Sequence, residues 1–183
     1  TDDCGNATST AATFTILDTT SPDVVTAADT TVECDGAGNT SELEGWLASN
    51  GGASAMDACS GVTWTNDFEM LSGGCASTAA VTFTATDDCG NAMSTTASFT
   101  VVDTSAPSFT EMPSDQNSQC EEQSYTSEAA DGCGGVTISE SRAVVSEDEC
   151  GGYEHLVTLT ATDACGNSAE HEFSIVVADT EGP

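Results

Sequence analysis

VTFTATDDCGNAMSTTASFTVVDTSAP, residues 81–107, is the stretch that decides the fold. Val81, Phe83 and Ala85 alternate with Thr82, Thr84 and Thr86, and Ala97, Phe99 and Val101 alternate in the same way. A period of two is the pattern of a strand with one buried face. Between the two runs, Asp87-Asp88-Cys89-Gly90-Asn91 reads as a tight turn. With Gly90 and Asn91 in left-handed backbone, the pair becomes an antiparallel hairpin. Asp103-Thr104-Ser105-Ala106-Pro107 closes the stretch as a short linker, because proline ends regular structure.

The same frame occurs three times. Thr-Asp-Asp-Cys-Gly-Asn stands at 1–6 and 86–91, and Thr-Asp-Ala-Cys-Gly-Asn at 162–167. The closing segments begin at Asp18, Asp103 and Asp179, each 14 residues after its cysteine. This periodicity divides the chain into the C-terminal strand and linker of a preceding repeat (1–22) and two full repeats (23–107 and 108–183). Ala12, Phe14 and Ile16, like Phe173, Ile175 and Val177, match the inward positions of the second strand. Further strands near 24–34 and 61–66, with their equivalents, give an all-β architecture of small β-sandwiches. Only residues 41–47 suit a helical turn, too short to hold alone.

Composition limits what such a chain does. Thirty-one Asp and Glu face one basic residue, Arg142, for a formal net charge of −30. That excludes nucleic acid and anionic membrane surfaces as partners, since phosphate recognition rests on Lys and Arg. At 38% apolar and 17% charged, the chain is nevertheless rich enough to build a core. No apolar run approaches the ~20 residues of a membrane span, so direct insertion is not expected. Thr1-Asp2-Asp3-Cys4 reads as the interior of a longer chain. Nine cysteines without a CxxC pair or Cys/His cluster indicate disulfides, an oxidising compartment and hence an extracellular, secreted or cell-surface protein.

The frame VTFTATDDCGN, an alternating strand and VVDTSAP resembles the hyalin-repeat (HYR-like) modules of extracellular and bacterial surface adhesins, over essentially the whole chain. The resemblance implies immunoglobulin-like or fibronectin-III-like sandwiches in tandem, and no catalysis. Four cysteines per full repeat and the near-absence of basic residues depart from it.

The cysteines of the full repeats are Cys34, Cys59, Cys75 and Cys89, then Cys120, Cys133, Cys150 and Cys165; Cys4 matches Cys89 and Cys165, and its partner is expected in a preceding repeat. Four cysteines allow three pairings. Cys75 and Cys89 flank a strand of about eight residues, more than ~20 Å long, and bridged Cα atoms lie within ~7 Å, so those two cannot pair. Two schemes are left. Cys59 and Cys89 both sit in Asp-x-Cys loops at one pole, which favours Cys59–Cys89 with Cys34–Cys75, and correspondingly Cys133–Cys165 with Cys120–Cys150.

Asp2, Asp57, Asp87, Asp131 and Asp163 each stand two residues before a cysteine. Bridged loops would draw Asp57 towards Asp87 and Asp88, and Asp131 towards Asp163, beside the linker residues Asp18 and Asp103. Two roles are open for them. Clustered oxygens at a pole suit Ca²⁺, while Asp in such turns also caps its own backbone. Asn6 and Asn39 lie in N-glycosylation patterns, and Thr19 and Thr30 in Asp-Thr-Thr segments that resemble O-glycosylation acceptors. His155 and His171 are not expected to face each other, because position 155 should oppose about 175. Trp46 and Trp64 read as core rather than as sugar platforms. No base stands beside a nucleophile and no phosphate loop follows a strand.

The expectation is a non-catalytic structural stalk, whose partners are neighbouring repeats of the same chain or polymer. The alternative is a binding module whose variable segments, 35–58 and 121–132, meet a glycan or a cell-surface protein.

Overall fold

A computed structural model describes residues 1–71, 75–149 and 151–178. Strands β1 (Asp23–Val25), β2 (Thr30–Glu33), β3 (Ser54–Met56), β4 (Val62–Asn66), β5 (Ala76–Asp87) and β6 (Ala92–Val102) build the first half. In the second half the strands are β7 (Ser108–Glu111), β8 (Gln116–Gln119), β9 (Glu128–Ala130), β10 (Val136–Glu147), β11 (Tyr153–Asp163) and β12 (Ser168–Ala178). Each half has a four-stranded sheet, β2-β6-β5-β4 or β8-β12-β11-β10, and a two-stranded one, β1-β3 or β7-β9. The chain is therefore all-β, as its alternation predicts.

The hairpins β5–β6 and β11–β12 carry the cores. Val81 lies opposite Ala97 and Ala79 opposite Phe99; in the second half Val157 opposes Phe173 and His155 opposes Ile175. The inward set Val81, Phe83, Ala85, Phe99, Val157, Ala161 and Ile175 is fully shielded from solvent. On the outer face, threonines and serines bond across the strands, Thr78 to Thr100 at 3.3 Å and Thr84 to Ser94 at 2.9 Å. Paired hydroxyls on a wet face stabilise a sheet without adding apolar surface. The histidines stand apart as expected, for His171 opposes Leu159 and its Nε2 lies 2.7 Å from the Pro113 carbonyl.

The halves differ in what covers the core. In the first, residues 40–48 form a nine-residue helix, α1 (Thr40–Ala48), longer than the sequence suggests. Leu43 and Trp46, three apart, share its buried face. Packing supplies what intrinsic propensity lacks: the Trp46 ring lies 5.2 Å from Phe83 and 5.5 Å from Phe99, and its Nε1 donates to the Ala28 carbonyl at 3.2 Å. In the second half Tyr125 covers Phe173 edge-on at 4.9 Å. The Tyr125 hydroxyl donates to Glu140, and Arg142 ties Glu122 and Glu140 together across the same face. Trp64 packs against the rim of the first core.

Two disulfides occur among the described residues, and their partners differ from those expected. Cys34 is bridged to Cys133 and Cys75 to Cys165, with Cα separations of 6.0 and 5.1 Å. The favoured Cys34–Cys75, Cys133–Cys165 and Cys59–Cys89 bridges are absent; Cys4, Cys59 and Cys89 are exposed and unbridged. The Cys120–Cys150 expectation involves a residue outside the described set. Strand direction does put Cys34, after β2, and Cys75, before β5, at one end of the first half. Across the linker, however, the turns bearing Cys133 and Cys165 come within bridging distance of them, a proximity that reasoning within one repeat cannot see.

Residues 7–22 form no strand, and Phe14, Ile16 and Leu17 are 87%, 83% and 79% exposed. Pro22 and Pro107, which end the two linkers, are buried.

Candidate functional site

The recurring Asp-x-Cys-Gly-Asn is a backbone clamp. Asp87 Oδ1 accepts from the Cys89 and Asn91 amides, both at 2.8 Å, while its Oδ2 accepts from Asn91 Nδ2 at 2.8 Å. The Asn91 side chain, followed by the backbone amides, holds the Asp87 carboxyl below the usual aspartate value, against burial. Asp163 repeats these bonds with Cys165 and Asn167, and Asp2 with Cys4 and Asn6. Only the glycine is left-handed, at φ 83° to 92° in Gly5, Gly90 and Gly166. Asn91 is not, which corrects its expected backbone role; the side chain does the work instead.

Two further copies stand outside the five Asp-x-Cys positions read from the sequence, although Asp148 also lies two residues before a cysteine, Cys150. Asp35 Oδ1 accepts from Ala37 and Asn39 amides, and Asp148 Oδ1 from the Gly152 amide, each with a left-handed glycine at the fourth position, Gly38 or Gly151. The spacing of Asp to Gly, three residues, was the readable signal.

The clamps also hold the linkers. Asn91 Nδ2 donates to the Asp18 carbonyl at 3.3 Å, and Asn167 Nδ2 to the Asp103 carbonyl at 3.1 Å. Each linker aspartate is thereby laid against an acidic loop. Ligand atoms of Asp18, Asp57 and Cys59 lie within 4.8 Å of one another, as do those of Asp103, Asp131 and Cys133. Asp18 Oδ2 and Asp103 Oδ2 are buried without a hydrogen-bond partner. Burial first, then the charges of Asp131, Asp163 and Glu33, hold the Asp103 carboxyl above its usual value, opposed by a bond from the Ser105 amide.

Of the remaining acids, Asp88 Oδ2 accepts from the Gly61 amide at 3.3 Å and links the hairpin turn to the loop before β4. Asp57 Oδ1 accepts from the Cys59 and Ser60 amides. Asp87 and Asp163 thus cap backbone, while Asp18 and Asp103 keep an uncommitted oxygen. Glu33 is a residue the sequence reading missed. Its carboxylate accepts from the Thr104 amide at 2.6 Å and from the Thr104 and Ser105 hydroxyls, pinning the linker to the end of β2.

The glycosylation candidates separate by exposure. Asn39 is buried, its Nδ2 donating to the Glu33 carbonyl and its Oδ1 accepting from Asp35, which closes that position to a glycan in the folded chain. Asn6 and Thr19 are exposed; Thr30 is half-buried in β2. Segment 35–58 is largely occupied by α1 and its core contacts, and so is not an open loop.

No family model matches the chain, and no curated protein does. Among solved structures, it is similar to Drosophila N-cadherin EC1-4, with 16% identity, 69% of this chain and 44% of that chain covered, and a TM-score of 0.33. It is also similar to the tandem Ig repeats of Dlar (12%, 86% and 98% covered, 0.30) and to mouse cadherin-23 EC22-24 (14%, 88% and 67% covered, 0.33). The chain spans less than half the length of the N-cadherin fragment. No helix among the described residues is long and apolar enough to cross a membrane.

Proposed function

We propose that this chain is a segment of an extracellular, non-catalytic stalk or filament built from tandem HYR-like β-sandwich repeats, 23–107 and 108–183, with 1–22 the tail of a preceding one. The observation that carries the reading is the pair of disulfides, Cys34–Cys133 and Cys75–Cys165, that crosses from one half to the other. Two bridges between neighbours, with the linker held by Glu33 and Asn167, resist bending and rotation. Such rigidity serves a spacer. The partners are then neighbouring repeats of the same chain or polymer. Intact mass of native, non-reduced material with electron microscopy tests this reading. Extended fibres of mass well above 18.5 kDa are expected, and compact particles of 183 residues would refute it.

Calcium is the cofactor that the acidic poles fit. A hard cation prefers carboxylate and carbonyl oxygens in sixes to eights. Asp18 with Asp57, and Asp103 with Asp131, supply adjacent carboxylates that include a buried oxygen lacking any donor. Asp87, Asp88 and Asp163 lend charge nearby while their oxygens serve the turns. Water and carbonyls would have to complete the shell. At tenfold above its dissociation constant, each ion stabilises the folded state by about 1.4 kcal/mol. Calorimetric titration should be saturable at millimolar calcium and weakened in Asp57→Asn and Asp131→Asn; a flat isotherm removes calcium from the proposal.

A further inference from the structure

The pole of the first half that bears Cys59 and Cys89 repeats the cysteine and linker contacts of the bridged pole of the second half. The Cys59 amide donates to Asp57 Oδ1 at 2.8 Å, and the Cys133 amide to Asp131 Oδ1 at 2.7 Å. Cys89 donates to Asp87 Oδ1 and Cys165 to Asp163 Oδ1, both at 2.8 Å. The linkers are seated alike, Asp18 on Asn91 and Asp103 on Asn167, and the same trio of two aspartates and a cysteine gathers at each. The first pole adds the Ser60 amide on Asp57 and the Gly61 amide on Asp88, and the bridges set the two apart. Cys133 and Cys165 are bridged to the neighbouring half, whereas Cys59 and Cys89 are exposed and unbridged.

We propose that Cys59 and Cys89 form a waiting half-junction, which receives another repeat of this kind through two disulfides, to cysteines placed like Cys34 and Cys75 respectively. The inference rests on the tandem-repeat reading and adds to it a covalent rule of assembly: each repeat is stapled twice to the next, never to itself. The donor end is identifiable as well. The Cys34 amide donates to the carbonyl of Val102, the last residue of β6; the Cys120 amide donates to that of Ala178, the last residue of β12. Cys120 therefore occupies in the second half the place from which Cys34 bridges in the first.

Each staple replaces two S–H bonds by one S–S bond, releasing two protons and two electrons. A protein or low-molecular-weight disulfide accepts the electrons by thiol–disulfide exchange and leaves as two thiols. The exchange runs through a mixed disulfide that the second cysteine resolves, so no atom is added to the product.

The test is peptide mapping of the protein isolated from its native material, alkylated before any reduction. The expected result is Cys34–Cys133 and Cys75–Cys165 peptides, with Cys59 and Cys89 each unalkylated and linked to a peptide of the repeat. A link to the Cys120 or Cys150 peptide makes the incoming repeat a second copy of this chain; a link to a repeat peptide outside this sequence makes it a further repeat of a longer one. Alkylated Cys59 and Cys89, a Cys59–Cys89 peptide, or links to peptides lacking the repeat frame would each overturn the proposal. Microscopy of the same sample separates the two readings, since fibres with alkylated Cys59 and Cys89 sink the half-junction alone. As a second readout, where the incoming repeat belongs to a second copy of this chain, Cys59→Ser with Cys89→Ser should lose the high-mass species on non-reducing gels while keeping both internal bridges.

Discussion

Gly36 and Gly38 flank Ala37 in one turn after β2, and substituting each in turn by alanine separates the cost of backbone from the cost of the junction. Both are left-handed, at φ 73° and 94°, so an alanine at either position loses about 1 kcal/mol through strain alone. Beyond this they differ. A Cβ on Gly36 would stand 2.5 Å from the Gly132 carbonyl oxygen in the other half, whereas on Gly38 its nearest neighbour is Thr40 Oγ1 at 3.9 Å. Relieving the first contact takes a displacement of roughly 0.7 Å, and Gly132 is bonded to Cys133. The Cα separation of Cys34 and Cys133, 6.0 Å, would then approach the ~6.8 Å limit of disulfide geometry. We expect a strain of about 2 kcal/mol in that bridge, a roughly thirtyfold shift towards the dithiol. The assay equilibrates each variant with glutathione buffers, traps thiols and quantifies both bridges by mass spectrometry. Gly36→Ala should loosen Cys34–Cys133 and leave Cys75–Cys165 nearer the parent value, while Gly38→Ala changes neither. Equal bridge occupancy in the two variants would refute the close approach of the halves.

Trp46→Ala should destabilise the first half by about 3–5 kcal/mol, since it removes an aromatic wedged between Phe83 and Phe99; a loss below 1 kcal/mol in denaturant unfolding would mean α1 is not part of the core. With pH the signs oppose. Asp87 and Asp163 have lowered carboxyls, so their stabilisation is present above the ordinary 3.8 and is lost as pH falls through their folded values, whereas Asp103, raised, is relieved as pH falls through a value above 3.8. Thermal melts should therefore hold or rise slightly from pH 7 towards 5 and drop below 3.8, and a drop already complete at pH 5 would contradict the clamps. Glu33→Ala should speed hydrogen exchange at the Thr104 amide by about tenfold or more, because that amide loses its acceptor; unchanged protection would place the linker's anchor elsewhere.

The strands that form the cores were legible because alternation is a local property: Val81, Phe83, Phe99 and Ile175 are buried where the period of two puts them. The helix was less so, since Leu43 and Trp46 gain their stability from Phe83 and Phe99, distant in sequence. Asp-x-Cys marked the acidic poles, yet the full clamp at Asp2, Asp87 and Asp163 follows an Asp-to-Gly spacing that also operates at Asp35, where no cysteine stands two residues on. The pairing of Cys34 with Cys133 was not legible from one repeat, because the distance that decides it is set by the linker's seat on Asn167 and Glu33. Glu33 carries no pattern of its own, and only the folded linker reveals it.

The two bridges also alter how force and cleavage act on the molecule. Residues 103–107 are the single run of main chain joining the halves, yet three covalent routes connect them once Cys34–Cys133 and Cys75–Cys165 are counted. A protease that nicked the linker would leave one covalent body, and a pull from end to end would be shared among the three routes. Damage to any one of them is then a local event, and a long array of such joints would keep its length after injuries that would part a chain held by its backbone alone.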